Sequence, residues 1–473
     1  MGADRMAEVQ LDDVTEPEPQ QDPVAPSRTA ARARALLRRW WPAPVTVVLA
    51  LVAAQMVADR RDEAAAERLR ATPGVLAETV TAPLEAAPWG TADAMGLLMS
   101  GTRTADGLIA GVLTPGSGEP AAVVALDPGT GEERWRAEIG VLVTEDGYTR
   151  SAACTSGSDG PAATLWCAVT DGPSGDVGPV TTRLVEVDLA ARAVVSAREL
   201  EPGAEATVVG DVLVVGVRRD DGVVLTGSDV RGTERWRTEV DDPVDPSFWS
   251  GWLVSAGGHL FVQGTAATWA VDPADGRIEA DADALYAARG DALVAVPTTG
   301  ALRLLGPDGS ATATLDGYPL YLSPDDGSAP GVQPVSAPDG SGSVVRGVEA
   351  ATGRTLWERP GESGPRSGHL MLDGVLYGTD LTVVWAVDAL TGAERWSVTA
   401  PPVDGTGLMT DGRHLLRAER EDGTADLVLS AYDLGSGRRA WTTPVPDGVD
   451  SLWSWDGALY GYGSDGREMV LLR

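Results

Sequence analysis

The sequence predicts an all-β fold: a closed ring of eight similar four-stranded blades, with seven as the alternative, preceded by one transmembrane helix. Three observations predict it. A short acid-to-tryptophan cassette recurs along the chain, mostly at the period of one four-stranded sheet, about 40–50 residues. Each good copy stands between two strand-like runs, as in AAVVALDPGTGEERWRAEI. A 19-residue uncharged run, WWPAPVTVVLALVAAQMVA, precedes them all.

Taken in order, residues 1–39 are rich in Pro, Glu and Gln and then in Arg. Such a segment cannot bury a core, so a disordered tail is expected. Residues 40–58 are long enough to cross a bilayer, which takes about 20 residues. Pro42 and Pro44 stand at the start, where a helix tolerates them, and Trp40 and Trp41 suit an interface belt. Arg28, Arg32, Arg34, Arg38 and Arg39 precede the span, so the positive-inside rule puts the tail in the cytoplasm and the ring outside. The expected location is therefore the cell membrane, single-pass. A cleaved signal peptide is the rival reading, but the leader is long and Met56-Val57-Ala58 is a poor cleavage site. Residues 59–94 read as a juxtamembrane helix, rich in Ala and Glu, and a linker after Pro73-Gly74.

Residues 95–473 carry the repeats. Good copies run from Asp127 through Gly131 to Trp135, from Glu349 through Gly353 to Trp357, from Asp388 through Gly392 to Trp396, and from Asp433 through Gly437 to Trp441. Asp229, Gly232 and Trp236 form a copy one residue shorter. Asp272 and Gly276 keep the turn, with Ala280 where Trp should stand. Asp188 and Asp308 head weaker copies. The acid can accept bonds from amides ahead of it, and the Gly supplies the positive φ of a bulged hairpin loop. A flat ring at one fixed place per unit suits packing between neighbouring sheets. The final segment, from Ser451, has two strands and no cassette; its expected completion is the stretch GLIAGVLTPGSGEPAAVVALD, closing the ring and removing its edges.

This cassette resembles the Trp-docking repeat of the PQQ-like (quinoprotein-type) β-propellers, over about four fifths of the chain. The resemblance implies an eight-bladed β-propeller. It also implies a set of cofactor residues that this chain departs from. Quinoprotein dehydrogenases of this fold carry adjacent cysteines over the quinone and an Asn among the calcium ligands; here there is no Cys-Cys and no Asn at all. In repeat type the chain is also similar to the propeller lipoproteins of outer-membrane assembly.

Cys154 and Cys167 flank a turn sequence, and outside the cell they are expected to form a disulfide. Formal net charge is −32. Residues 1–58 hold seven acids and six Arg, contributing −1, which leaves −31 for the rest. Such a surface repels nucleic acid and reads first as a solubilising shell. All 37 basic residues are Arg, a composition suggesting a GC-rich bacterial genome of the actinobacterial kind, and removing Schiff-base and Lys-dependent phosphate-loop chemistry.

His259, His369 and His414 lie in different units without zinc-ligand spacing and read as structural. The acidic loops DDPVDPSF, DPADGRIEADAD and SPDDGSAPG lack calcium-loop spacing. Trp249, Trp252, Trp453 and Trp455 lie outside the cassette, with packing the plainer reading and recognition the sharper one. No catalytic, cofactor or metal residue is assigned. The function expected is a non-catalytic, extracytoplasmic protein-binding or scaffolding propeller, tethered to the membrane, with an unknown protein partner in the cell envelope. A sensor holding a small ligand in the channel is the alternative. A divergent quinone-dependent dehydrogenase is the second alternative.

Overall fold

The computed structural model describes residues 42–473, except 92–93, 95–96, 99–100, 114–120, 140–146, 157–163, 174–180, 202–203, 230–231, 245–251, 299–300, 307–308, 340–341, 361–367, 381, 403–406, 421–425 and 464–467. The chain divides into the units Met1–Ala64 and Ala65–Arg473. The expected disordered tail, and Trp40 and Trp41, lie outside the described residues.

The transmembrane helix is corrected. The apolar run does not end at the charges that follow it; one helix, Pro42–Arg70, holds both. No helix among the described residues is long and apolar enough to cross a membrane. The last twelve residues of that helix, Asp59 to Arg70, carry eight charged side chains, so the helix as a whole is not apolar. Single-pass anchoring, and the cytoplasmic and extracytoplasmic placement derived from it, lose their basis with it.

The blade count is also corrected. Among the described residues the larger unit holds nine sheets, eight four-stranded and one five-stranded, so the propeller has nine blades rather than eight or seven. Blades 1 to 8, in chain order, occupy residues 102–138, 147–199, 205–240, 253–282, 284–315, 318–360, 369–399 and 409–444. Blade 9 is made from both ends of the unit. Strand β1 (Ala86–Thr91) pairs antiparallel with the strand Glu468–Leu472, outside two strands from residues 451–462. The stretch GLIAGVLTPGSGEPAAVVALD does not close the ring. Its strands belong to blade 1, which completes itself with Thr102–Arg103 and Glu133–Glu138. The eight cassette acids therefore head blades 1 to 8, and the closing blade is a ninth.

The middle strands of the blades are largely buried on both faces and read as apolar runs. Ala122–Leu126 is buried at every position. Blades 3 and 4 meet through Val214, Leu225, Trp252 and Leu260, and blades 8 and 9 through Leu416, Leu429, Leu452 and Leu459. Blades 9 and 1 meet through Tyr460, Met469, Ile109 and Val124, which seals the ring. Burial of this kind stabilises by about 25 cal/mol per Å² of apolar surface.

The cassettes show why each residue is there. Asp388 accepts bonds from the amide and hydroxyl of Thr391, and Asp433 from those of Ser436, which accounts for the Thr or Ser before the Gly. A register shift recurs at the start of each hairpin, as between Ala386 and Val387. The outgoing Trp then lies opposite a small residue two places before the acid: Ala125 opposite Trp135, Gly227 opposite Trp236, Gly347 opposite Trp357 and Ala431 opposite Trp441.

Three of the docking rings donate to the next blade. Trp236 donates its indole N–H to the Pro273 carbonyl at 2.9 Å, Trp357 to Ala389 at 2.8 Å, and Trp396 to Leu434 at 2.9 Å. Each acceptor directly follows the cassette acid of the neighbouring blade. The cassette Gly makes room. A Cβ at Gly276 would sit 2.4 Å from the Trp236 ring, and one at Gly437 2.4 Å from Trp396; both glycines also hold positive φ. Trp89, on β1, does the same job for the closing blade, donating to Pro128 at 2.8 Å and packing beside Gly131.

Candidate functional site

Segment 65–85 runs from the end of the helix across the turns of blades 8 and 9. The Leu76 amide donates to the Thr410 carbonyl at 2.8 Å, and the Ala77 amide to Gly457 at 2.7 Å. Val75, Leu76 and Val80 are buried among side chains of blades 7 to 9. Asp411, fully buried, accepts from the amides of Val80, Arg413 and His414 and faces His414 Nδ1 at 3.0 Å. Burial pushes its carboxyl up, but the His414 contacts and amide bonds outweigh that and hold it below the usual range.

A second strap leaves blade 6 after Tyr318–Pro319 and lays Leu322–Asp325 parallel to the inner strand of blade 7, His369–Leu372. Arg289, in the first turn of blade 5, holds it. The guanidinium forms a bidentate pair with Asp325, both contacts 2.6 Å, and donates to the carbonyls of Ser328, Ala329 and Val332. The other end is tied to blade 7, where the Gly374 amide donates to Ser328 Oγ at 2.8 Å. Sequence reading took this stretch as an acidic loop with weak calcium potential; its carboxylates are instead occupied by Arg289 and by backbone amides.

On blades 4 to 6 and on the strap itself, apolar groups are left in water. Val254, Tyr286 and Tyr318 stand on the innermost strands of three consecutive blades, 4 to 6, at 39, 53 and 55% exposure, and Tyr321 on the strap is 85% exposed. Sequence reading missed these tyrosines. Their signal was available in principle: large aromatics in or just after the first strand of a unit, which pairs on one side only.

The residues singled out from sequence lie elsewhere and do not converge. His259 Nδ1 is 2.6 Å from Glu279 in blade 4, and His369 packs beside Trp385 in blade 7, with ring centroids 5.8 Å apart. Trp252 is fully buried beneath the Arg218 guanidinium. Trp453 and Trp455 are half-buried in blade 9, and Trp249 lies outside the described residues. Asp242 of the DDPVDPSF loop is saturated by Thr265, Ala266, Ala267 and the Trp269 indole. Among the described residues no group of three or more His, Cys, Asp and Glu could hold a metal ion.

Cys154 and Cys167 face each other across adjacent strands of blade 2 and form a disulfide, with Cα atoms 4.1 Å apart. The residues present do not fit the quinone site implied by the resemblance. Both cysteines are engaged across a sequence separation of 13, and no Asn exists. A buried polar cluster in blade 8 offers no access either. Glu419 accepts from Arg417 at 2.9 Å and from Ser430 and Tyr432 at 2.6 Å, and all four side chains are sealed from water. Burial and the Glu419 bond raise the Tyr432 hydroxyl above the ordinary tyrosine range. That network cross-braces the blade.

Residues 340–451 match the protein family described as outer membrane protein assembly factor BamB. The match spans blades 6 to 8, where the cassettes are most regular. No curated protein matches the chain. Among solved structures, BamB from Moraxella catarrhalis is similar at 17% identity, covering 69% of this chain and 99% of its own, with a TM-score of 0.33. Quinohemoprotein alcohol dehydrogenase from Comamonas testosteroni is similar at 16% identity, covering 82% of this chain and 76% of its own, with a TM-score of 0.35. Likeness this distant carries nothing about chemistry.

Proposed function

We propose that this PQQ-like propeller is a non-catalytic protein-binding scaffold whose recognition surface is the aromatic edge of blades 4 to 6. The exposed Val254, Tyr286, Tyr318 and Tyr321 carry this reading. Tyr is a favoured interface anchor, because it buries a large rigid area at small entropic cost and keeps a polar tip. The strap that presents Tyr321 is already ordered by Arg289, so little of the binding energy goes into arranging it. The match of residues 340–451 to an assembly-factor family accords with a scaffold. The cross-strand disulfide fits a compartment that oxidises thiols.

The test is site-specific photocrosslinking in the producing cell. A photoreactive residue at Tyr321 should give one discrete adduct. The adduct should disappear when Tyr286→Ser and Tyr318→Ser are combined in the same chain. A photoreactive residue at Val195, exposed on the outer strand of blade 2, should not give it. A Tyr321 adduct that survives the double substitution, or no adduct at all, overturns the reading.

A further inference from the structure

The junction between blades 4 and 5 lacks its docking tryptophan. On the outer strand of blade 4, Ile278–Ala282, the ring position is Ala280, paired across to Ala270 as Trp236 is paired to Gly227. At the blade 3–4 junction the Trp236 indole fills the space above the neighbouring turn. At the blade 4–5 junction that space is a groove of about 420 Å³. Its lining includes both Ala280 and Gly309, the cassette Gly of blade 5, so it flanks the docking position, where the Glu279 carbonyl lies against Gly309. Ala282 and Ala295 extend it along the strand as a shallow apolar wall.

The groove's polar groups set the charge of an occupant. Glu279 is engaged by His259 and Arg277. Asp281 stands at the wall, Asp283 accepts from the Thr298 amide and hydroxyl, and Arg303 of blade 5 also lines the groove, so two carboxylates stand to one guanidinium. The surrounding field is strongly negative, with a net charge of −32 over the chain, and it concentrates cations.

We propose that this groove binds a small aromatic amine. Its planar ring stands in for the indole of the junctions that keep a docking Trp, and its ammonium sits against Asp281 and Asp283. Stacking and burial hold the ring, and the carboxylates select the cation over a neutral or anionic analogue.

The test is calorimetric titration of the full chain with tryptamine. One saturable site is expected. Indole-3-propionate, which has the same ring with a negative tail, should bind about tenfold more weakly or not at all. Ala280→Trp should abolish tryptamine binding by filling the groove from within. If that variant fails to fold, the surface pair Asp281→Asn and Asp283→Asn serves instead, and should weaken tryptamine about tenfold while leaving the weak binding of neutral indole unchanged. Absence of saturable tryptamine binding, equal affinity for the anionic analogue, or full binding by the folded Ala280→Trp chain each overturns the proposal.

Discussion

Trp396, on the outermost strand of blade 7, donates its indole N–H to the carbonyl of Leu434 in blade 8 at 2.9 Å, with its ring seated against Gly437. One side chain thus joins two sheets by an apolar contact and a buried hydrogen bond together. Trp396→Phe should keep most of the packing but leave the Leu434 carbonyl unpaired, a loss of about 1–3 kcal/mol. Trp396→Ala should lose about 3–5 kcal/mol. Gly437→Ala should also destabilise, because the new Cβ meets the ring at 2.4 Å and the backbone holds φ +67°. Urea denaturation of the three variants checks the order. A Phe variant as costly as the Ala variant would mean that the hydrogen bond, and not the packing, holds the blades.

Trp89 makes the equivalent contact from the other end of the chain, so ring closure depends on β1. A chain starting at Ala65 should melt as one cooperative unit. A chain starting at Met95 lacks β1 and leaves the strand Glu468–Leu472 with an open edge, so it should aggregate or melt well below the longer chain. Size-exclusion chromatography and calorimetry on the two separate these outcomes.

The repeat was legible because the cassette packs its turn acid, its Gly and its Trp into one short segment. A pattern left unread was the small residue two places before the acid, Ala125, Gly227 or Ala431, which lies under the ring. Blade 9 was hidden because its outer strand, AAPWGT, carries a Trp with Thr81, and not an acid, at the cassette spacing before it. The acid and Gly it docks on belong to blade 1. The membrane reading weighed the apolar run by itself, whereas the helix that holds it also carries the eight charges of Asp59 to Arg70. The strap was illegible because Arg289 and Asp325 are distant in sequence and neither lies in a motif.

Acid should unfold the propeller through carboxylates held low. For Asp242, burial raises the carboxyl, but bonds from Thr265, Trp269 and two backbone amides more than offset this, so its folded pKa lies below the unfolded value. For Asp127 the Arg134 bond is the main cause of a depressed pKa. Such groups contribute stability above the unfolded carboxylate pKa, and lose it as pH falls through the folded value. The melting temperature should therefore hold from neutral pH to about pH 5 and fall below about pH 4. Asp242→Asn should melt lower at pH 7 and show a shallower fall with acid. An unchanged slope would remove Asp242 from the account.

The disulfide closes a short loop across a sequence separation of 13 in blade 2. In the chain-entropy picture that constraint is worth about 3 kcal/mol. Replacing both cysteines with Ser should lower the denaturation free energy by that order and leave the fold intact, since the strands around them pair on their own along residues 147–173. Unfolding curves of the oxidised, reduced and doubly substituted chains check it. Equal loss in the reduced and substituted chains assigns the effect to the bond itself.

The quinone alternative can be tested directly. A quinone held over the channel needs a metal to polarise it and a wall to stack on, and the metal needs several converging oxygen ligands. Among the described residues no such group of ligands gathers, and Asp325 and Asp411 are each tied up singly, by Arg289 and by His414 and backbone amides. Titration of the Ala65–Arg473 chain with PQQ and Ca²⁺ together should leave both tryptophan fluorescence and melting temperature unchanged. A saturable shift in both would reverse the scaffold reading, because it would require ligands to gather where the free chain keeps them apart.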